Sequence, residues 1–139
     1  MQVTRFAAIT STSYPIERQS PNNHIEMQKI AIIQISEAGK DIALSLQHEL
    51  GAKIIQRTDV GEQWNKFDGF VFIGAMGICV RTIAPYITDK HEDPAVVCVD
   101  SMGMNAISVL SGHIGGANEL TRDIAAKIGT RGRNYFYNF

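Results

Sequence analysis

The sequence predicts a three-layer α/β/α domain with a mainly parallel sheet and one antiparallel hairpin. Short, uniformly apolar runs, typical of strands covered on both faces, alternate with segments whose apolar residues recur at helical spacing. Glycine-containing turns join several of these segments. The chain has 139 residues, of which 45% are hydrophobic and 19% are charged. That is enough apolar material for the core of about one domain.

The first half of the predicted domain is a strand, a helix and a second strand. Ile30–Ile35 is a continuous apolar run and predicts the first core strand. Apolar residues such as Ile42 and Leu46 then recur at helical spacing, and Gly51 supplies a residue that readily takes the left-handed conformation at a helix end. A short second strand is predicted at Ala52–Gln56.

The second half contains a third core strand, two helices and the hairpin. The third strand is predicted at Phe67–Gly74, and a helix follows Gly77 and ends before Pro85. Two further apolar runs, Ala95–Asp100 and Ala106–Leu110, are close enough in sequence to pair as an antiparallel hairpin. The last helix carries Leu120, Ile124 and Ile128 on one stripe and ends at Gly129.

The ends of the chain differ in pattern from this central region. Residues 1–28 are interpreted as an N-terminal extension, with one strand-like piece at Val3–Thr10 followed by Ser, Pro and Asn clusters that predict loose structure. Residues 29–129 form the predicted α/β domain, and residues 130–139 form a tail of different character.

Composition excludes several classes of function. The chain has 13 Lys and Arg against 14 Asp and Glu, so it lacks the positive charge that nucleic-acid binding requires. No apolar run approaches the roughly 20 residues of a membrane span, and the N-terminus lacks a signal-peptide pattern. We therefore predict a cytoplasmic protein that binds neither nucleic acid nor membranes.

The cysteines and most histidines do not form a metal-binding pattern. Cys79 and Cys98 are not in a CxxC arrangement and both lie in apolar surroundings, which favours buried, reduced thiols. The histidines His24, His48 and His91 are scattered without metal-ligand spacing. We predict that the protein has no metal site.

Two glycine-bearing turns are the candidate ligand-binding features. The turns are Gly74–Gly77 after the third strand and Ser111–Asn118 after the fifth strand, and each precedes a helix. In open α/β sheets, ligands bind at the carboxyl ends of strands, where helix N-termini offer free N–H groups. We therefore expect both turns to lie at one edge of the sheet and to share a pocket.

Three charged or titratable side chains near these turns could carry chemistry. His113 lies between glycines at a helix entrance and could exchange a proton near neutral pH, or it could simply fill the turn. Glu119 could act as a base, although helix electrostatics also favours glutamate in a first turn. Arg81 could clamp a carboxylate with two hydrogen bonds or be an ordinary surface arginine.

Familiar catalytic and phosphate motifs are absent from the sequence. Gly39-Lys40 is followed by Asp41, and Gln34 stands where a Walker loop requires its first glycine. Neither glycine turn reads GxGxxG, and the chain has no GxSxG nucleophile elbow. Nucleotide binding is therefore a weak third interpretation, and a serine hydrolase of the common type is disfavoured.

Two segments resemble a known family. These are FIGAMGICVRTIAP at Phe72–Pro85 and SGHIGGANEL at Ser111–Leu120, with Asp89-Lys90 and Asp93-Pro94 between them. In their order and spacing, over Lys29–Gly129, they resemble the N-terminal domain of the CbiG family of cobalamin biosynthesis, the cobalt-precorrin-5A hydrolases. Full-length members continue into a further strand, a linker and a separate C-terminal domain.

The resemblance implies a hydrolase that opens the δ-lactone of cobalt-precorrin-5A and releases acetaldehyde in anaerobic cobalamin synthesis. The alternative is a non-catalytic tetrapyrrole-binding module of the same pathway. No cofactor of its own is implied, because the cobalt is carried by the substrate. The partners implied are the cobalt-precorrin substrate and either a separate C-terminal domain of the family or a precorrin methyltransferase. A second copy of the chain is a further candidate partner.

The resemblance supplies the positions of the candidate residues, and the chemistry of lactone opening supplies their roles. His113 and Glu119 are the acid–base candidates. The substrate-binding candidates are Gly74, Ala75, Met76, Gly77, Arg81, Ser111, Gly112, Gly115, Gly116 and Asn118. Backbone N–H groups of the two turns would bind an oxyanion or a carboxylate, and Arg81 would clamp a carboxylate of the macrocycle.

Overall fold

A computed structural model of the chain describes residues 28–112 and 114–129, together with the backbone of residues 134–135. The described strands are β1 (Ile30–Gln34), β2 (Lys53–Ile54), β3 (Gly69–Ile73), β4 (Ala95–Val99), β5 (Ala106–Leu110) and β6 (Asn134–Tyr135). The described α-helices are α1 (Lys40–Leu50), α2 (Val60–Gln63), α3 (Met76–Ile83) and α4 (Ala117–Ile128). Short 3-10 helices lie at Glu37–Gly39, Arg57–Asp59 and Ala84–Tyr86.

The described strands form one sheet in the order β2-β1-β3-β4-β5-β6. Neighbouring strands are parallel except β4 and β5, which pair antiparallel. Strands β1, β3 and β4 are buried along almost their whole length, which explains their uniformly apolar sequences. The predicted fold class, a mainly parallel sheet with one antiparallel element, is confirmed.

Helices cover both faces of the sheet, and each face has its own core. On one face, side chains of α1 and α4 such as Leu46 and Ile124 pack with Ile32. On the other face, α2 and α3 contribute Val60 and Cys79. Because β5 runs opposite to β3, the right-handed crossover rule places α4 and α3 on different faces. The result is the predicted three-layer arrangement.

The antiparallel strand also decides which turns lie together. We call the edge where β1, β3 and β4 end the carboxyl edge, and the edge where they begin the amino edge. In the β4–β5 pair, Ala106 lies opposite Val99 at the carboxyl edge, while Leu110 lies opposite Val96 near the amino edge. The segment that follows β5 therefore begins at the amino edge. The prediction that the two glycine turns share one edge and one pocket is wrong, because it overlooks the reversed direction of β5.

Element boundaries agree with the sequence in most places. Gly51 and Gly129 end α1 and α4 in left-handed conformation, with φ of 63° and 66°, as predicted. The apolar pattern of the sequence does not indicate α2, a single turn of helix at Val60–Gln63. The predictions for residues 1–27 lie outside the described residues. Of the predicted tail, the structure describes only the backbone of 134–135, which adds β6 beside β5.

Candidate functional site at the carboxyl edge

The turn that follows β3 requires a glycine at its first position. Gly74 has φ of 143°, a conformation that residues with side chains rarely adopt, and its N–H donates to the Val99 carbonyl at 2.8 Å. A Cβ at Gly74 would lie 2.7 Å from Cβ of Ile35, which follows β1. This tight packing lets the chain turn directly from the buried strand into α3.

The first turn of α3 presents backbone N–H groups that the described residues do not use. The Ala75 carbonyl accepts hydrogen bonds from Ile78 and Cys79, both at 3.2 Å. The N–H groups of Ala75, Met76 and Gly77 have no hydrogen-bond partner in the described part of the chain. Unused N–H groups and the positive end of the helix dipole favour an anion at this position.

Arg81 adds a positive charge to the same helix end. Its Nη1 atom lies 3.7 Å from the position that a Cβ of Gly77 would occupy, so the guanidinium reaches back toward the first turn. The side chain is exposed, and no carboxylate among the described residues forms an ion pair with it. Arg81 is therefore available to a carboxylate from outside, as its candidate role requires.

A crevice of about 470 Å³ lies against this turn. Gly74, Ala75 and Met76 form one wall, and Asp100, Asn105 and Cys98 belong to the other side. On the β1 side, Ile35 packs against Gly74 and the hydroxyls of Ser36 and Ser101 hydrogen-bond at 3.2 Å. The crevice consequently opens beside β4 and β5 rather than between β1 and β3, where the strand order reverses.

The two cysteines lie under this turn. The thiol of Cys98 is within 3.6 Å of the Gly74 carbonyl and donates to it. Both cysteines are free and buried, as predicted. A hydrogen bond with Cys98, together with burial, raises the pKa of Cys79 far above that of an exposed thiol, so Cys79 stays protonated. The pair acts as part of the core beneath the crevice.

The loop after β5 differs from the α3 turn because its own carbonyl groups accept the first N–H groups of the helix that follows it. The carbonyl of Ser111 accepts the Ala117 N–H at 3.1 Å, and the carbonyl of Gly112 accepts the Asn118 N–H at 3.0 Å. The first two N–H groups of α4 are thus occupied by the loop that leads into the helix. The Ser111 hydroxyl also donates to the carbonyl of Asp93 at 3.0 Å, which fixes the loop to the start of β4.

Carboxylates surround this loop at the amino edge. A crevice of about 640 Å³ there is lined by Trp64, Phe67, Asp68, Glu92 and Gly115, among others. The neighbouring Asp93 is only 5% exposed. Its carboxylate accepts hydrogen bonds from the N–H and hydroxyl of Thr88 and from the N–H of Asp89. The crevice at this edge is thus lined by three carboxylates, Asp68, Glu92 and Asp93, whereas the carboxyl-edge crevice has one, Asp100, beside the unused N–H groups and Arg81 of α3.

Comparison with known proteins places these features in a family. The family described as Cobalamin synthesis G N-terminal matches residues 58–132, which is more than half of the chain and includes both glycine turns. The chain belongs to the CbiG N-terminal family. The matched range also includes Arg81, Asp100 and Asn105 of the carboxyl-edge crevice.

Relatives of this CbiG chain carry a hydrolase name. A cobalt-precorrin-5A hydrolase of Priestia megaterium is 55% identical over 65 residues, which are 47% of this chain and 17% of the relative. A cobalt-precorrin-5A hydrolase of Salmonella typhimurium is 50% identical over 68 residues, which are 49% of this chain and 19% of the relative. The matched part of the chain thus spans less than a fifth of the length of these two proteins.

A solved structure agrees with the fold. The crystal structure of a cobalamin biosynthesis protein G homolog from Sulfolobus solfataricus superimposes with a TM-score of 0.66 at 29% sequence identity. The similarity covers 83% of this chain and 38% of the Sulfolobus chain. The likeness therefore extends beyond residues 58–132 and supports the CbiG assignment.

The structure divides the predicted site residues of this CbiG chain between the two edges. At the carboxyl edge it brings together Gly74, Ala75, Met76, Gly77 and Arg81. At the amino edge it groups Ser111, Gly112, Gly115, Gly116 and Asn118, with Glu119 exposed in the first turn of α4. His113 lies outside the described residues.

Within the described part of the chain, no three His, Cys, Asp or Glu residues cluster to hold a metal, and no helix could cross a membrane.

Sequence reasoning misses Asp100 and Asn105. Asp100 directly follows the buried strand β4, just as Gly74 follows β3, so the rule that selects the glycine turn also selects this carboxylate. Asn105 precedes β5 and reaches the same edge only because β5 is antiparallel. Asp100 could therefore have been found from the predicted end of β4, and Asn105 from the antiparallel direction of the predicted hairpin.

Proposed function

We propose that this chain is the N-terminal part of a cobalt-precorrin-5A hydrolase and that it binds the carboxylate-bearing rim of the substrate at the carboxyl edge. The relatives' names support the reaction, and the observation that carries the binding site is the unused N–H groups of α3 beside Arg81. The macrocycle carries carboxylates at its periphery, so N–H donors and a guanidinium match its charge.

The proposed reaction opens the δ-lactone of cobalt-precorrin-5A with water and releases a two-carbon fragment as acetaldehyde. Opening a lactone requires an activated water and donors for the oxygen that gains negative charge. The N–H groups of Ala75, Met76 and Gly77 suit either an oxyanion or a carboxylate. Arg81 suits a carboxylate of the macrocycle, which it can bind with two parallel hydrogen bonds.

Charge favours the carboxyl edge over the amino edge for this substrate. The crevice at the amino edge has Asp68 and Glu92 in its walls, and these would repel substrate carboxylates. The first N–H groups of α4 are already bonded to Ser111 and Gly112. The crevice at the carboxyl edge has one carboxylate in its walls, Asp100, which accepts N–H groups of its own loop. The α3 turn adds Arg81 and N–H groups that no described residue bonds.

Acetaldehyde release tests the proposal. The assay uses cobalt-precorrin-5A and this chain together with the polypeptide that supplies the rest of the relatives' length. Arg81→Ala should raise KM about tenfold or more and change kcat little, because a carboxylate clamp acts in the ground state and the transition state alike. Lys66→Ala, which removes an exposed cation near the amino edge, is the matched control. Equal KM values for the two variants would contradict the proposed binding edge.

A second arrangement places the reacting lactone at the amino edge, with His113 and Glu119 as the acid–base groups. Glu119 lies at the amino edge, and a five-residue strand spans roughly 16 Å, so Glu119 and the Arg81 site cannot contact the same small group. In this arrangement His113→Ala lowers kcat by about 100-fold and leaves substrate affinity unchanged. Such a result would move the reacting lactone to the amino edge. Full turnover by His113→Ala would leave Glu119 as the base to test there.

A binding module is the second candidate function. The carboxyl edge favours it, because N–H donors and a guanidinium suffice to bind carboxylates and do not by themselves activate water. A module would bind cobalt-precorrin-5A and change its visible spectrum without producing acetaldehyde, even with the remaining polypeptide present. Spectral titration and aldehyde detection on the same samples separate the two functions.

A further inference from the structure

Asp100 and Asn105 form a polar pair on the sheet face that α3 covers. They extend the β4–β5 ladder by one step, because the Asp100 N–H donates to the Asn105 carbonyl at 3.2 Å. Side chains alternate between the two faces along a strand. Cys98 packs in the core under α3, and Asp100 follows it by two residues. Both members of the pair accordingly line the crevice beside the α3 turn.

The Asp100 carboxylate keeps one hydrogen-bonding site for a donor from outside. Oδ1 accepts the N–H groups of Met102 and Met104, both at 3.0 Å, and Oδ2 accepts the side-chain amide of Asn105 at 2.9 Å. A carboxylate offers about four lone-pair sites, shared equally by its two oxygens. Within the described part of the chain, no other donor forms a hydrogen bond with this carboxylate. The loop between β4 and β5 thus fills Oδ1, whereas Oδ2 can accept one further bond.

Asp100 is charged at neutral pH. Burial opposes its ionisation, but hydrogen bonds from Met104, the Asn105 side chain and Met102 outweigh burial and lower the pKa of the carboxyl group. The backbone N–H of Asn105 contributes least. A carboxylate of low pKa is a weak base, so it assists a reaction mainly by holding a water and taking its proton as the new bond forms.

The α3 turn supplies the complementary groups on the other wall of the crevice. Lactone hydrolysis requires a water held against the carbonyl carbon and donors for the carbonyl oxygen as it gains negative charge. Ala75 and Met76 line the crevice with Asp100, and their N–H groups are unused among the described residues. The charge of Asp100 repels the substrate carboxylates, which Arg81 can bind, and it tolerates the neutral lactone. One wall therefore suits the water and the other suits the oxyanion.

We propose that Asp100 holds the attacking water and accepts its proton, and that Asn105 is the positioning residue that fixes Oδ2 for this task. The inference rests on the proposed function and places the reacting lactone at the carboxyl edge. The water oxygen bonds to the lactone carbonyl carbon, and the bond from that carbon to the ring oxygen breaks. One water proton passes through Oδ2 to the released ring oxygen, which becomes a hydroxyl group. The other stays on the new carboxyl group, which then loses it to solvent.

Acetaldehyde release by this chain with the remaining polypeptide tests the role of Asp100. Asp100→Asn keeps an acceptor oxygen for the loop N–H groups but cannot take a proton. Its kcat should fall about 100-fold while KM stays within about twofold, because the lost group acts in the transition state. Asp59→Asn is the matched control, since Asp59 is also partly buried, accepts a backbone N–H and lies beside β2, three strands from β4. A wild-type kcat for Asp100→Asn, or a change confined to KM, would overturn the inference.

Chemical rescue separates catalysis from support of the loop. Asp100→Ala leaves space for a small carboxylate, so added formate should restore part of its kcat. Formamide has a similar shape without the charge and should not restore it. Rescue by both compounds or by neither would overturn the proton-accepting role. Thermal unfolding shows whether each variant is folded, and if Asp100→Ala is not, the Asp100→Asn result decides alone.

The positioning role of Asn105 is tested by a double-mutant cycle. Asn105→Ala should lower kcat about tenfold in the wild-type background and add little to Asp100→Asn, because Asn105 acts through Asp100. Equal losses in both backgrounds would overturn the positioning role.

Two further outcomes separate this inference from the proposed function. If the wild-type chain and the remaining polypeptide release no acetaldehyde, the proposed function fails and the inference fails with it. If the wild type is active and His113→Ala loses kcat while Asp100→Asn keeps it, the lactone reacts at the amino edge, and only this inference is overturned.

Discussion

The two glycine turns look alike in sequence and differ in how their N–H groups are used. Each follows a strand of the sheet and leads into a helix. The turn at Gly74–Gly77 leaves the first N–H groups of α3 unbonded among the described residues, while the loop from Ser111 closes the first N–H groups of α4 with its own carbonyls. The first turn therefore leaves N–H donors for a ligand, whereas the second uses them to close the chain on itself.

The charges beside the turns follow the same division. Arg81 reaches back to the α3 turn, whereas Asp68 and Glu92 lie in the crevice beside the loop at the amino edge. A helix N-terminus attracts an anion only if its N–H groups are free and the neighbouring charge is favourable. The α3 turn meets the first condition, and Arg81 offsets the one carboxylate of its crevice, Asp100. The two turns should therefore respond differently to substitution.

Gly115→Ala should produce the largest effect, a loss of about 3 kcal/mol in the free energy of unfolding. A Cβ at Gly115 would lie 2.5 Å from the Ser111 Cβ and 3.0 Å from its carbonyl oxygen, and backbone atoms cannot move aside cheaply. Urea unfolding followed by circular dichroism measures the change. An unchanged unfolding midpoint would mean that the loop is not packed as described, and it would weaken the contrast between the turns.

Asp93→Ala should cost about 2 kcal/mol, again at the amino edge. The buried carboxylate accepts bonds from two N–H groups and one hydroxyl of Thr88 and Asp89, and its loss leaves these donors unsatisfied. Asp41→Ala, at an exposed position in the first turn of α1, is the control and should cost far less. Similar losses for the two variants would argue against a structural role for Asp93.

Gly77→Ala should raise the free energy of unfolding by up to about 1 kcal/mol, opposite in sign to Gly115→Ala. Gly77 lies in α3 with nothing closer than Arg81 at 3.7 Å, so a methyl group fits and alanine favours the helix. Because the N–H group is retained, substrate affinity should change little. A large destabilisation measured in the same urea titration would mean that both turns are closely packed, which would remove the contrast.

The sequence predicts the fold well because its buried strands are continuous apolar runs. The apolar runs at β1, β3 and β4 are correct to within one or two residues, and Gly51 and Gly129 end their helices as expected. The single turn α2 is missed because four residues are too few for a helical period to emerge. The antiparallel hairpin was predicted correctly, and its reversed strand already places Ser111–Asn118 at the amino edge. The prediction of a shared pocket did not apply that direction.

The candidate site was predictable only in part for a similar reason. Gly74–Gly77 and Arg81 lie close together in sequence and stay together in the fold. Asp100 and Asn105 join them through strand pairing, which brings distant segments to one edge. The bonding of the Ser111 and Gly112 carbonyls depends on the path of the backbone, and composition gives no sign of it.

Acid should weaken the carboxyl-edge loop through Asp100. Burial opposes ionisation of Asp100, but hydrogen bonds from Met104, Asn105 and Met102 outweigh it and lower the pKa of the carboxyl group. A lowered pKa in the folded state stabilises the protein above the unfolded pKa of about 4, and this stabilisation is lost as the pH falls through the folded value. Unfolding at pH 5 and pH 3 should therefore show a larger acid-induced loss in wild type than in Asp100→Asn. Equal losses would mean that protonation of Asp100 does not affect the loop.

The smallest expected effect concerns the thiols beneath the α3 turn. Cys79 and Cys98 are buried and free, and the Cys98 thiol donates to the Gly74 carbonyl, so the turn rests on a hydrogen bond and packing rather than on a cross-link. Adding a reductant should therefore leave the melting temperature unchanged within error, since removing a structural disulfide typically costs about 2–5 kcal/mol. Thiol titration of the unfolded chain should also count both cysteines as reduced. A melting temperature that falls by many degrees on reduction would reveal a disulfide under the turn. The α3 turn would then be held by a covalent cross-link and not by packing and a hydrogen bond.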